Sequence, residues 1–480
     1  MKRIAMAVIA VGLFALVATP ALADNKTTAR DIEAAVDSYL ATAERDANLV
    51  GGPGSAGYDS GFWIRGGDFT LRINLTLQAR YEYFAFDKDE SGHPTIDGDI
   101  GIEPLGAIGD LDDLFVPGGG DLSGFSLPRA LLKFSGTAPC NMRYYVEMDF
   151  GHHGGTLYGM PWLYHAYLAA PNGGVFMNNT YQYSNTREAW IEWGMSDSFN
   201  VRVGQILYPN ARQLMVAPEL QQFVDISMAS SATGLLQPGY TDRNRDFGLM
   251  LHGAFGCRNE WQYMFAVTNG DGGDSLRNVM NTLTSDNFMF SGRINWAFAE
   301  PIGYTEGATR FESCTWYGEV GIWASYYADR FDMPHVTVGD RLIGGLDLAV
   351  GYGGFSFTGG FTWFQIKDSV LGIEDEEVMI AFGQLGYLFP GTGWELAARY
   401  SYWSREIDSG PKPKTQTFAV GLNYYLNGHS NKLTFDWTYI DATADGVVGA
   451  GWFDVYPGVP LGFQSDGNSM LFRFQWQLAL

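Results

Sequence analysis

Between Leu71 and Tyr83 every second residue is apolar or aromatic: Leu71, Ile73, Leu75, Leu77, Ala79, Tyr81 and Tyr83. The residues between them, Arg72, Asn74, Thr76, Gln78, Arg80 and Glu82, are all polar or charged. A period of two sends these two sets to opposite faces of one extended strand. A soluble sheet would bury the apolar face. Charge along the whole opposite side of so long a strand instead suits a barrel with lipid outside and water inside. The end of the chain repeats the pattern, with Met470, Phe472, Phe474, Trp476, Leu478 and Leu480 alternating with Leu471, Arg473, Gln475 and Gln477. Two such strands, one near each end, could close a ring.

The first residues read as an export signal: Lys2-Arg3, an apolar stretch from Ile4 to Ala18, then Ala21-Leu22-Ala23 before Asp24. Residues 1–23 are therefore expected to be removed on secretion. No other unbroken apolar run reaches the roughly 18 residues that a spanning helix needs. Aromatic residues at 15%, charged residues at only 17% and 61 glycines fit aromatic girdles and frequent turns. A formal charge of −23 argues against nucleic acid as a partner, since that needs a basic surface.

Residues 24–60 predict a short periplasmic helical extension and linker. Ile32, Val36, Tyr39 and Ala43 make one apolar stripe, and Gly51-Gly52-Pro53-Gly54 ends it. Residues 61–480 predict the barrel. Alternating segments fall at 69–84, 128–136, 141–150, 187–194, 199–206, 246–255, 260–268, 287–298, 315–327, 341–351, 355–366, 377–389, 394–404, 415–426, 431–440 and 469–480. Gaps after odd segments are mostly long and gaps after even ones mostly short, as long outer loops and short periplasmic turns require. Three gaps are long enough to call for a function. Loop 85–124 carries ten acids with Lys88 as its one Lys or Arg, and loop 151–186 is rich in Gly, Tyr and Asn. The third, 207–240, carries Arg212, Glu219 and Asp225 among apolar residues and is expected to fold inward as a constriction.

With the polar partner of each strand facing in, the predicted pore lining includes Arg72, Arg80, Glu82, Arg129, Lys133, Arg143, Glu188, Glu192, Arg202, Arg293, Arg399 and Arg473. Bases outnumber acids on this wall although the chain is acidic, which predicts a weak anion preference opposed by an acidic outer mouth. Many such charges would also pair across strands and simply keep the interior wet. Catalytic signatures are missing: there is no G-x-S-x-G elbow and no H-E-x-x-H. His152-His153 lacks acids or cysteines at ligand spacing, so neither a metal nor a cofactor is expected. Cys140, Cys257 and Cys314 fall in predicted periplasmic turns. The oxidising compartment allows a Cys257–Cys314 disulfide, and free thiols fit the sequence equally.

Several stretches resemble the phosphate-selective porins O and P. They are Pro128-Arg129-Ala130-Leu131-Leu132-Lys133-Phe134-Ser135-Gly136, Arg187-Glu188-Ala189-Trp190-Ile191-Glu192-Trp193, and Val201-Arg202-Val203-Gly204-Gln205. Arg245-Asp246-Phe247-Gly248, Val267-Thr268-Asn269-Gly270 and Gly421-Leu422-Asn423-Tyr424-Tyr425-Leu426-Asn427 follow in order. The resemblance implies a trimeric outer-membrane porin. Its acidic loops, and a third loop with Arg212 as its main base, argue against carrying over the family's phosphate selectivity. The expected fold is thus an all-β transmembrane antiparallel β-barrel of about 16 strands with a short N-terminal helical extension. The expected activity is passive diffusion of inorganic ions and small hydrophilic solutes, with membrane lipid and lipopolysaccharide as surroundings and no enzymatic step. Two rivals stand beside it. One is a carbohydrate or organic-solute porin using the inward Trp190, Trp323 and Trp403, and the other is a structural or adhesive barrel with a plugged lumen.

Overall fold

The computed structural model describes residues 54–58, 61–86, 122–151, 186–235, 244–270, 288–307, 314–332, 337–368, 376–407, 412, 414–443, 454–455, 459–460 and 467–480. The chain divides into two compact units, Met1–Leu71 and Arg72–Leu480. In the first, Gly54–Tyr58 pairs antiparallel with Phe62–Gly66, and the Tyr58 and Phe62 rings meet edge to face at 5.3 Å. The expected signal peptide and the helical stripe from Ile32 to Ala43 lie outside the described residues.

The second unit is built from a closed ring of sixteen antiparallel strands. In order they are β1 (Phe69–Phe86), β2 (Leu122–Ala138), β3 (Met142–Asp149), β4 (Thr186–Ser196), β5 (Phe199–Leu207), β6 (Arg245–Phe255), β7 (Trp261–Thr268) and β8 (Met289–Ala297). The second half comprises β9 (Tyr317–Asp332), β10 (Thr337–Tyr352), β11 (Phe355–Asp368), β12 (Glu376–Leu388), β13 (Trp394–Ile407), β14 (Lys414–Asn427), β15 (Asn431–Thr443) and β16 (Gly467–Ala479). Each pairs with its sequence neighbour, and β16 returns to β1 with Arg473 opposite Glu82 and Gln475 opposite Arg80. Closure leaves no open edge, which a lipid environment demands because it offers no water to unpaired backbone groups.

All sixteen alternating segments of the sequence are strands here. The second begins earlier than expected, at Leu122 rather than 128, so that Pro128 lies in its interior instead of at its start. The β1–β2 register shifts between Gln78 and Arg80, beside this proline. A bulge tolerates a residue that has no N–H to give to the ladder. At the β10–β11 turn, Gly353 and Gly354 have φ of +56° and +88°. That handedness suits a two-residue hairpin between twisted strands.

Side-chain exposure follows the pleat. Ile322 is 67% exposed and its neighbour Trp323 only 2%. Leu346, Phe361, Leu396 and Phe474 likewise face outward. Near the short-turn ends, outward aromatics contact one another around the ring. Trp261 stacks on Trp296 at 5.8 Å, Trp316 on Tyr352 at 4.5 Å, and Trp394 lies 4.5 Å from Tyr424. This is a girdle of amphipathic rings where a bilayer's polar headgroups would begin. Cys140, Cys257 and Cys314 lie at this same end as exposed free thiols, so no Cys257–Cys314 bond is formed in the structure.

Because Ile322 sits on the outward face away from the girdle, Ile322→Arg should destabilise the refolded barrel by about 2–4 kcal/mol. Urea unfolding in lipid vesicles, compared with the inward-facing Ser325→Ala, measures this.

Candidate functional site: an inserted third loop and the channel beside it

The segment after β5 turns inward. It carries a short helix α1 (Arg212–Met215), a 3₁₀ turn at Pro218–Leu220 and helix α2 (Met228–Leu235). Ser227 caps α2, its Oγ accepting from the Ser230 N–H at 3.0 Å. Beside α2, an apolar patch on the inner wall (Trp323, Ile343, Phe364, Val378, Ile380 and Trp403) packs with Ala211, Leu214, Ile226 and Ala229 of the loop. Mixed apolar content in a loop that enters a lumen is thereby explained: part of the lumen wall is itself apolar and needs covering.

The loop's tip is held by charge. Asp225 accepts from Arg80 of β1 at 2.8 Å, from Arg129 of β2 at 3.0 Å and from Arg473 of β16 at 3.1 Å. Burial by itself would raise its pKa, but Arg80, then Arg129 and Arg473, outweigh burial and hold the carboxyl well below the ordinary range. The Asp225 carbonyl accepts from Arg399 at 2.8 Å, and that guanidinium lies 4.2 Å from the centre of the Phe223 ring. Arg473 also grips Asp436 through two bonds of 2.8 and 2.9 Å, while Asp436 receives the Val224 N–H at 3.1 Å.

Residues just before the tip sit in seats made by missing side chains. Gln222 donates to Glu395 at 2.9 Å and to Ser356 at 3.2 Å. A Cβ on Gly386 would lie 1.9 Å from the Gln222 amide nitrogen. A Cβ on Gly421 would lie 3.0 Å from the Phe223 ring. Nearer the start of the loop, the Arg212 N–H donates to Asp347 at 3.0 Å, and Asp347 forms two 2.7 Å bonds with Arg293. Glu219 pairs with Lys133, and Lys432 donates to the Gln221 carbonyl.

The inward residues expected from the sequence thus fall into two groups. Arg80, Glu82, Arg129, Arg293, Arg399 and Arg473 point inward but are buried beneath the loop, together with Arg212 and Asp225. A second group lines β2–β6, where several basic side chains keep access to solvent while Glu147, Glu188 and Glu192 are buried beside them. Its members include Arg143 with 48% of its side chain exposed, Arg202 and His252 with 19% each, and Lys133 with 12%. Arg72, at the short-turn end of β1, is half-buried.

Within this second group the charges form a ladder of pairs. Glu192 receives Arg143 and Arg202 at 2.7 Å each and contacts His252 at 2.6 Å. Further along, Arg187 pairs with Glu147 at 2.7 Å and Arg245 with Glu188 at 2.9 Å. The Arg202 guanidinium lies 3.9 Å from the Trp190 ring centre, and Trp190 stacks on Tyr145 at 5.5 Å. Of the three tryptophans suggested as a solute slide, Trp190 borders this sector, whereas Trp323 and Trp403 are buried among the residues around α2. Sequence reasoning missed the seats of Gln222 and Phe223, because they depend on contacts between residues far apart in the chain.

Comparison with known proteins agrees with this geometry. The family described as phosphate-selective porin O and P matches residues 342–475, which bears out the resemblance read from the sequence. The solved anion-selective porin from Comamonas acidovorans shares the fold, with a TM-score of 0.54 at 12% identity, covering 86% of this chain and 100% of that one. An uncharacterized protein of Aquifex aeolicus (strain VF5) is 23% identical over 273 residues. That match takes in 53% of this chain and 62% of the relative's length, so the chain spans under two thirds of it. The fold is that of an outer-membrane porin barrel, and residues 342–475 carry the porin O and P likeness.

Removing the central carboxylate leaves three buried guanidiniums facing one another. Asp225→Ala should therefore destabilise the barrel by about 3–5 kcal/mol, readable as a lowered heat-modifiability midpoint on gels. The pH dependence has a fixed sign. Since the folded pKa is depressed, Asp225 contributes fully above about pH 4 and loses its contribution only as acid takes the pH below that.

Proposed function

We propose that the chain forms a narrow water-filled channel for passive diffusion of ions and small hydrophilic solutes, with a weak preference for anions. The observation that carries this is the division of the inner wall. Loop three covers the β9–β16 side and the first strands, while the β2–β6 ladder keeps solvent-accessible charge from Lys133 to Arg143. Bases and acids nearly balance there: Lys133, Arg143, Arg187, Arg202 and Arg245 face Glu147, Asp149, Glu188 and Glu192 with Glu219 of the loop, but the more exposed Arg143 and Arg202 are bases. Nearly balanced charge filters weakly.

The family's phosphate preference does not transfer on this reading, because Arg80, Arg129 and Arg473 already hold Asp225. A carbohydrate slide finds little support, since Trp323 and Trp403 are buried. A homotrimer is favoured by the short strands β3–β7, where Ile191, Trp193 and Val203 offer an apolar outward face. Lipid and lipopolysaccharide would meet the remaining outward band.

Single-channel recording in a planar bilayer should show steady open steps with a small anion-directed reversal potential under a salt gradient. Phosphate added to chloride should produce no block. Arg202→Ala should move the reversal potential toward cations. The absence of any current from heat-modifiable protein would sink the channel reading and favour a plugged structural barrel.

A further inference from the structure

The connection from β8 to β9 lies at the short-turn end, yet it runs from Phe298 to Trp316. Turns at this end of such barrels are short, so a segment of this length needs a reason. Its residues 302–307 do not project into solvent: Ile302, Thr305 and Glu306 are buried. Ile302 packs against Ala349, Leu388 and Tyr425, inward residues of β10, β12 and β14. The turn therefore reaches across the inside of the barrel from β8 as far as β14, beneath loop three.

Its contacts with the loop converge on Glu306. The carboxylate accepts from Gln213 at 2.8 Å and from the Gln222 N–H at 3.1 Å, so one side chain joins α1 to the segment just before the loop's tip. The Glu306 N–H donates to the Leu220 carbonyl at 3.0 Å, and the Glu306 carbonyl meets His429 at 3.0 Å. Nearby, the Gly303 carbonyl accepts from the Arg212 guanidinium, while Tyr304 accepts from Asn295 at 2.9 Å and from Arg293 at 3.1 Å. Every one of these partners lies on the covered side of the lumen. None belongs to the β2–β6 ladder.

Resting on the channel reading above, we propose that Glu306 is a positioning residue for permeation. It fixes loop three from the periplasmic side and so sets the cross-section of the β2–β6 path, which makes the constriction a product of two segments rather than one. The physical reason is bond accounting: without Glu306, Gln213 and the Gln222 N–H lose buried acceptors, and the loop gains freedom to move into the path. Selectivity then depends on a residue that no permeating ion touches.

The test is bilayer recording of wild type, Glu306→Ala, Glu306→Gln and a variant with residues 302–307 replaced by Gly and Ser, each first checked for heat-modifiability. Glu306→Ala and the Gly/Ser variant should conduct more per channel and lose the wild-type reversal potential, with trypsin gaining access to Arg212. Glu306→Gln keeps one acceptor oxygen and should fall between wild type and Glu306→Ala. If the Ala variant fails to fold, the Gln and Gly/Ser variants carry the test. Folded variants with wild-type conductance and a protected Arg212 would overturn the proposal while leaving the channel intact. A wild-type protein without current would instead remove the channel reading, and this inference with it.

Discussion

The tip of the inserted loop is fastened around one carboxylate. Asp225 lies among three guanidiniums contributed by β1, β2 and β16, and the backbone on either side of it is bonded to Arg399 and Asp436. Removing four charged groups from water is costly, and their mutual attraction offsets this only with good geometry and further hydrogen bonds. Those bonds are present: Arg80 also reaches Gln475 at 2.9 Å and Glu82 at 3.1 Å. The result is a polar core in a protein whose apolar residues face the other way. A conventional domain uses apolar packing inside and charge outside; here apolar packing inside is confined to patches such as the wall around α2.

The fold was legible because lipid imposes a simple rule on alternate residues. Segments 341–351 and 355–366 are rich in glycine, yet even there Leu346 and Phe361 mark the outward face that the structure displays. Inward positions could be named from the same period, but their environment could not. Arg80 and Arg202 look alike in sequence, each one step from an apolar neighbour. One is buried against Asp225 and the other borders solvent beside Trp190, because loop three crosses to one side of the lumen. Trp323 and Trp403 illustrate the same limit: the pattern gives the face, and only the loop's path decides what covers it.

The loop's inward path left a partial trace. Its length and its mix of Arg212, Glu219 and Asp225 with apolar residues were unlike a solvated outer loop. The role of Glu306 left almost none. A turn has no periodicity to read, and the bonds from Glu306 to Gln213 and Gln222 span 93 and 84 residues of sequence. Glycines 386 and 421 are similarly silent alone, since each matters only through the side chain that fills the space beside it.

The position of Asp225 has a consequence for how the molecule is made. Arg80 and Arg473 stand on the first and last strands, whose pairing is the seam that closes the ring. Until β16 lies beside β1, the cradle for the loop's tip is incomplete. Afterwards, the same carboxylate fastens both sides of the seam from within. Threading the loop and sealing the barrel are in this sense a single step, with the segment that fills the lumen serving as the clasp of its wall.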